Sequence, residues 1–282
     1  MTRDLQCPLC GGGKLTSWGS KRGYSLFNCS NCGHGFADLR GMEFSRDPDE
    51  FLEEFTHGTM PTDEDYYHHL AGGEAPGNTV VIASGHALRL AEACGSTGSW
   101  LDVGSGSGHL VASAQAAHYE AQGIEPGGWG QISAREKNIS VRQGFLEADS
   151  FSQQFDIVSA TDVVEHQTDP ISFLKLLAGY VKPNGYLILS IPYADSPEAK
   201  ILGAKWNMVA PPTHNQFFSK KSLDFALEQI GFSIKARQQY HVHHRLSRLL
   251  RYKASRQILE ALIPGPQLMC IAYRTSDWSV PS

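Results

Sequence analysis

The chain has 282 residues, 41% hydrophobic and 19% charged, proportions that exclude a disordered or fibrous protein and suit a folded globular one. A formal net charge of −5 excludes a chain built as a whole to coat nucleic acid. The opening "MTRDLQCPLC" has no apolar core of signal-peptide length, and no run approaches the roughly 20 apolar residues of a transmembrane helix, so a cytoplasmic location is expected.

Residues 1–40 carry two C-x-x-C pairs. Cys7 and Cys10 lie in "CPLCGGG", and Cys29 and Cys32 in "CSNCGHG", with 18 residues between Cys10 and Cys29. Glycine follows each pair, where the backbone must turn tightly. Four thiolates at this spacing suit a structural Zn2+ held tetrahedrally in a small ribbon, with no open position for metal catalysis. The segment is too short to bury a core of its own, so metal binding would fold it. The competing readings are disulfides, which a reducing cytosol disfavours, and a redox pair, which lacks the thioredoxin-like βαβ context. His34 is a spare ligand that four cysteines make unnecessary. Cys94 and Cys270 stand alone in apolar surroundings and read as core residues.

Residues 41–78 change character. They are acidic at first and rich in Gly and Pro at the end, and read as a connector or lid. "DEFLEEF" after Asp47-Pro48 and "EDYYHHL" are short helix candidates. Tyr66, Tyr67, His68 and His69 are placed either to close over a site or to pack on the core.

From Thr79 to residue 282 strands and helices alternate. "TVVIASGHALRLAEAC", "HLVASAQAA", "GGWGQISAREK" and "ISFLKLLAGYV" have helical spacing, the last capped by Asp169-Pro170 and ended by "KPNG". Ser219 caps "KKSLDFALEQI" and Gly231 stops it. "SWLDV", "YEAQGIE", "NISVRQ", "QQFDIVSA", "YLILSIP", "FSIKARQQ" and "QLMCIAYR" are the strands. Seven strands alternating with helices imply an α/β fold, a largely parallel Rossmann-like sheet with helices on both faces. Ligands of such sheets sit at the carboxyl ends of the strands.

"LDVGSGSGHL" puts Gly104, Gly106 and Gly108 in a strand–helix turn, the kind that holds a dinucleotide, a phosphate or S-adenosylmethionine (SAM). The dinucleotide fingerprint needs glycine where this chain has His109. Glu125 ends the next strand, 23 residues after Asp102, where a carboxylate can accept both ribose hydroxyls of an adenosine.

At this point the residues resemble the class I SAM-dependent methyltransferases, over roughly residues 79–282. "LDVGSGSG" resembles the family's first motif and "GIEP" its second. "FDIVSATDVVEHQTDP" with "VKPNGYLILSIP", and then "PPTHNQFFSKKSLDFALEQIGF", resemble the later motifs of its small-molecule branch. The resemblance implies a seven-stranded methyltransferase sheet. It implies that Gly104, Ser105, Gly106 and Gly108 let the backbone approach the methionine part of SAM, and that Asp102 orients its amino group. By the same likeness Glu125 and Pro126 meet the ribose, Phe145 or Leu146 the adenine, and Ala160, Thr161 and Asp162 the methionine end. SAM carries its own electrophile, so the protein has only to position it, exclude water and take up a proton.

For a hydroxyl acceptor, histidine is the base best suited to neutral pH. His214 is the first choice, in the proline-bounded loop where this branch places substrate-facing residues. His166 is the second, at the methionine end of the cofactor, with Glu165 able to orient a histidine or cap local amides. The basic stretch at 235–256, with seven Lys/Arg and no acid, could hold an acidic or phosphorylated acceptor, lie near a membrane surface, or be a solvated helix face. The function expected is methyl transfer from SAM to a small-molecule acceptor such as a sugar nucleotide, a polysaccharide precursor or a natural product, at oxygen. The opening also resembles that of deoxysugar C-methyltransferases, whose further C-terminal domain has no counterpart in this sequence. The alternatives are a zinc-ribbon ribosomal RNA base methyltransferase, against which the acidic segment beside the ribbon argues, and a non-catalytic SAM-binding scaffold.

Overall fold

The computed structural model describes residues 5–40, 62, 64, 67–68, 79–241 and 264–275. The helix candidates at 47–57 and most of the basic stretch, from 242 onward, lie outside the described residues.

All seven strands expected after Thr79 are present and form one sheet: β4 (Ser99–Val103), β5 (Glu120–Glu125), β6 (Val141–Gln143), β7 (Phe155–Thr161), β8 (Val181–Pro192), β10 (Phe232–Tyr240) and β11 (Gln267–Arg274). Their spatial order is β10-β11-β8-β7-β4-β5-β6. The run from β8 to β6 is parallel, while β11 is antiparallel to both β8 and β10. The order reverses between β4 and β7, because β5 and β6 are laid down outward from β4 on one side and β8 outward from β7 on the other; β10 then takes the edge and β11 inserts between β8 and β10. Such a switch point opens a crevice at the carboxyl ends of those strands.

The helices start where the sequence caps them. The side chain of Asp169 accepts from the Ser172 amide at the head of α4 (Pro170–Tyr180). Ser219 and Ser222 form a reciprocal capping box at the head of α6 (Lys220–Gln229), and Gly231 at φ 76° ends it. Helices α1 (Thr79–Ala93), α2 (His109–Ala116), α3 (Trp129–Lys137) and the short α5 (Pro197–Leu202) complete the set among the described residues. One boundary differs from the sequence reading. "KPNG" does not form a separate loop after α4, because β8 begins at Val181 and absorbs it. The pairing jumps from Phe155↔Val181 to Ile157↔Tyr186, and Asn184 at φ 65° takes up the surplus residues.

The amino-terminal segment forms β1 (Leu15–Lys21), β2 (Tyr24–Cys29) and β3 (Gly35–Ala37). Its sheet gains a fourth strand, β9 (Gln216–Phe217), from the far side of the chain. The ribbon is therefore joined by hydrogen bonds to the sheet domain rather than tethered to it. Leu101, Phe155, Val158, Leu174, Leu177 and Leu187 make the centre of the main core, all at 0% exposure.

Gly108 opens α2 at φ 69°, and a Cβ there would lie 2.3 Å from Ile139 Cδ1 and 2.5 Å from Ser133 Oγ. Substituting Gly108→Ala combines an unfavourable backbone region with overpacking and should cost about 2 kcal/mol. Urea unfolding checks this; an unchanged midpoint would mean that Ile139 and Ser133 give way freely.

Candidate functional site

The pairings Asp102↔Gly123 and Asp102↔Ser159 set the ends of β4, β5 and β7 side by side. The register thereby gathers the glycine turn, Glu125 and residues 160–162 around one crevice. Gly104, Gly106 and Gly108 all have positive φ, at 71°, 54° and 69°. A Cβ on Gly104 would lie 2.5 Å from Val163 Cγ2, so only glycine lets the turn lie against the segment after β7. The Ser105 and Ser107 hydroxyls are buried beside the first turn of α2 with no hydrogen-bond partner among the described residues.

Glu125 does something that spacing did not reveal. Its carboxylate accepts from the Gly106 amide (2.9 Å) and the Gly127 amide (3.1 Å), pinning the turn after β4 to the turn after β5. Pro126, half-buried, lies inside that second turn. Of the two expected adenine neighbours, Leu146 belongs to the main core, whereas Phe145 is only half-buried.

Two further acids are sunk in the same region. Asp102 is 2% exposed and accepts from Ser159 Oγ (2.6 Å), and burial pushes its pKa up to about 7. Asp162, at φ 56°, accepts from Ser190 Oγ (2.9 Å), which in turn accepts from the Tyr240 hydroxyl (2.6 Å). Burial raises Asp162 as well. Ala160 is fully buried and Thr161 half-buried at the end of β7.

Glu165 and His166 form the short 3-10 turn Val164–His166, which follows Val163 directly. The structure brings His214 to them: one ligand atom from each of Glu165, His166 and His214 lies within 4.8 Å of the others, and the two imidazoles stand edge-on with centroids 4.8 Å apart. His166 Nδ1 is 2.9 Å from the Thr213 carbonyl and His214 Nδ1 is 3.1 Å from the Met208 carbonyl. A carbonyl only accepts, so each Nδ1 carries the proton, and in neutral His214 the Nε2 lone pair points away from that anchor. Burial, followed by the charge of His214, pushes His166 down to about 3. Burial pushes His214 down to about 4. Glu165 is 0% exposed with both carboxyl oxygens lacking a partner among the described residues. Burial, and then the nearby Asp162 charge, hold it well above the ordinary carboxyl range. A buried carboxyl without a hydrogen-bond partner among the described residues calls for a ligand or a proton.

Two residues that the sequence did not flag build this cluster. The Asn215 amide nitrogen donates to the Glu165 carbonyl (3.0 Å), and its side chain donates to the carbonyls of His166 (3.1 Å) and Pro212 (3.2 Å). Gln216 Nε2 donates to the Gln167 carbonyl (2.7 Å). The only signal for them was polar amides directly before two aromatics in "HNQFF", both now 0–2% exposed.

At the other end of the ribbon, Cys7 Sγ lies 3.7 Å from Cys32 Sγ and Cys10 Sγ lies 3.5 Å from Cys29 Sγ. All four sulfurs fall within 4.8 Å of one another, and none is in a disulfide. A tetrahedron with metal–sulfur bonds of about 2.3 Å has sulfurs about 3.8 Å apart, so the set has the size of a zinc site. His34 is not a spare ligand: it is fully buried, bonded through Nε2 to Gln216 Oε1 at 2.8 Å.

The remaining candidates take structural places. Tyr67 is 1% exposed and accepts from Lys137 Nζ (3.0 Å), so it packs on α3; Tyr66 and His69 lie outside the described residues. Of the basic stretch, Arg237 pairs with Asp224 and Lys235 sits over the Tyr273 ring at 4.8 Å, so these two cations are engaged within the fold. An open hollow lined by Ser99, Glu120 and Lys182 lies at the amino ends of the strands, opposite the glycine turn. No helix among the described residues is long and apolar enough to cross a membrane.

The methyltransferase-domain family matches residues 81–236, more than half of the chain. Among curated proteins the chain is 28% identical over 156 residues to the ubiquinone biosynthesis O-methyltransferase of Aeromonas salmonicida, covering 50% of this chain and 65% of that protein. It is 33% identical over 139 residues to the protein of the same name from Alkalilimnicola ehrlichii, covering 44% and 56%. The chain thus spans less than two thirds of the length of these relatives. Among solved structures, an O-methyltransferase family protein from Burkholderia thailandensis superposes with a TM-score of 0.56 at 16% identity, covering 85% of this chain and 66% of that one. A SAM-dependent methyltransferase from Archaeoglobus fulgidus gives 0.54 at 18% identity, covering 73% and 100%. These likenesses show the same fold around the crevice described above. The chain belongs to the methyltransferase-domain family.

Proposed function

We propose that the protein transfers the methyl group of SAM to a hydroxyl of a small-molecule acceptor held beside Glu165, His166 and His214. The observation that carries this reading is the cluster itself, a buried carboxyl without a partner among the described residues, beside two neutral imidazoles, beginning two residues beyond the Gly104–Val163 contact. The O-methyltransferase names of the curated relatives favour oxygen as the acceptor.

The glycine turn and the amides at the head of α2 receive the methionine part of SAM, with Asp102, Asp162 and the end of β7 around its amino group. Glu125 and Pro126 meet the ribose, and Phe145 offers its face to the adenine. The acceptor oxygen attacks the methyl carbon as the carbon–sulfur bond breaks and the electron pair stays on sulfur. The proton of the hydroxyl passes to His214 Nε2, the lone pair left by the Nδ1 anchor on Met208.

A second reading is favoured by the two partnerless oxygens of Glu165. One carboxylate with two imidazoles is also a donor set for a divalent cation, with the histidines oriented by carbonyls behind them. A cation bound there would lower the pKa of an acceptor hydroxyl, and the carboxylate would then no longer be orphaned. At the ribbon, Cys7, Cys10, Cys29 and Cys32 hold a structural Zn2+.

Labelled SAM incubated with a panel of nucleotide sugars and pathway intermediates tests the reaction. Transfer to an oxygen of one of them, slowed at least tenfold in Glu165→Gln or His214→Ala with SAM affinity unchanged, is the expected result. Tight, salt-sensitive binding of total RNA with methylation of a base would replace the small-molecule reading. Loss of transfer on mild chelation and recovery with Mg2+ or Mn2+ selects the cation reading, and indifference to both selects His214 alone. Glu125→Ala should weaken SAM binding more than tenfold, since it removes charge-assisted bonds and unpins the glycine turn; unchanged affinity by calorimetry sinks the ribose assignment. Both histidines have folded pKa values below their ordinary one near 6.5, so the unfolded chain takes up protons that the folded chain refuses. The stability they contribute is complete above about pH 6.5 and declines as pH falls toward 4. The variant carrying His166→Gln with His214→Gln should show a flatter decline in thermal midpoint between pH 7 and 5, and identical slopes would contradict their burial as neutral rings.

A further inference from the structure

The ribbon grips one particular part of the sheet domain. Gly35 pairs with Phe217 and Phe36 with Gln216, and the Ala37 amide donates to the Asn215 carbonyl at 2.9 Å. Gly35 lets the strands lie close: a Cβ there would lie 3.2 Å from Phe217 Cβ across the seam and 3.0 Å from Asn28 Oδ1 within the ribbon. His34 lies two residues beyond Cys32, in the knuckle where the Cys29 amide donates to the His34 carbonyl (2.8 Å) and the Gly33 amide to the Cys29 carbonyl (2.8 Å). Its imidazole packs on Phe218 with centroids 4.6 Å apart. Because Gln216 Nε2 is spent on the Gln167 carbonyl, Gln216 turns its Oε1 to His34, and His34 Nε2 donates to it. The other end of the same segment is held as well. Lys21 Nζ donates to the Trp206 carbonyl at 2.5 Å, two residues before Met208, whose carbonyl anchors His214. Trp18 meets Phe217 edge-on at 5.4 Å.

We infer that the metal ribbon is a brace for the segment 206–216, with His34 and Gln216 as positioning residues that carry the rigidity of the thiol knuckle to His214 and, through Gln167, to His166. Lys21 fixes one end of the segment, and β3 with His34 fixes the other. Between these two points the chain must present Met208, His214 and Asn215 in register with Glu165 and His166. A loop of eleven residues held only by its own turns would lose this register readily, because connecting segments are the least stable parts of a fold. Asn215, Gln216 and Thr213 tie the segment to residues 165–167, and the ribbon adds fixed points from the opposite side, its own shape set by the four thiols. The brace concerns the geometry of the segment and rests on the proposed role of His214 only for its effect on turnover.

Four measurements test this: amide exchange followed by mass spectrometry, SAM affinity by calorimetry, zinc content, and methyl transfer to the acceptor found with labelled SAM. In His34→Leu the expected result is one zinc per chain, SAM affinity within about twofold of wild type, and exchange over 207–218 at least fivefold faster, with 99–125 unchanged. His34→Gln keeps a donor amide at the same reach and should restore slow exchange. Removing zinc from the wild type should reproduce the leucine phenotype. Unchanged exchange over 207–218 in both His34→Leu and the zinc-free protein overturns the brace. Loss of SAM binding together with fast exchange across the whole sheet also overturns it, because the ribbon would then support the entire domain rather than one segment. If the segment loosens while transfer proceeds at the wild-type rate, the brace stands and the placing of the proton acceptor at His214 falls.

Discussion

The crevice depends on keeping acidic side chains dry. Asp102, Glu125, Asp162 and Glu165 all project from the carboxyl ends of three adjacent parallel strands, or from the residues just beyond them. Asp102, Asp162 and Glu165 are all raised by burial. Each unit of such a shift is about 1.4 kcal/mol of discrimination against the charged form. Hydroxyl and amide donors are set against three of them, Ser159 on Asp102, Ser190 on Asp162, and the Gly106 and Gly127 amides on Glu125, while Glu165 has no such partner among the described residues. A region of this kind favours a ligand that brings positive charge. In the proposed reaction SAM arrives as a sulfonium cation and leaves as a neutral thioether, so the same acids that favour its entry favour the product less.

The geometry around those acids follows from the reversal of strand order between β4 and β7. Gly104 lies against Val163, and the chain then makes a single 3-10 turn that delivers Glu165 and His166. The glycine turn and the Glu165–His166–His214 cluster are therefore neighbours through one van der Waals contact. Neither could shift without the other, and Glu125 ties the turn after β5 into the same unit.

The sequence made local features legible and left distant pairings hidden. Strand periodicity, the Asp169 and Ser219 caps and the left-handed glycines at 104, 106 and 108 all act within a few residues, so their chemistry is written beside them. The two C-x-x-C pairs were readable because metal spacing is itself local. That His166 and His214 would meet was visible only as two separate choices of base, whereas the structure makes them one cluster with Glu165. The His34–Gln216 bond spans 182 residues, and β9 is two residues long. Two residues carry no periodicity, so the strand that closes the ribbon sheet left no trace, and residues 1–40 read as a self-contained module. The tail of "KPNG" was misjudged for a similar reason: proline and glycine announce a turn, but not that a strand will swallow it as an irregularity.

The shared sheet also limits how the chain can be trimmed. Leu26, Phe36, Trp206, Phe217 and Phe218 are each no more than 2% exposed, and they are covered jointly from both sides of the seam. Cutting the chain before Thr79 would not release a clean catalytic half. It would bare a contiguous aromatic patch beside the unpaired backbone of β9, a surface prone to sticking to other copies.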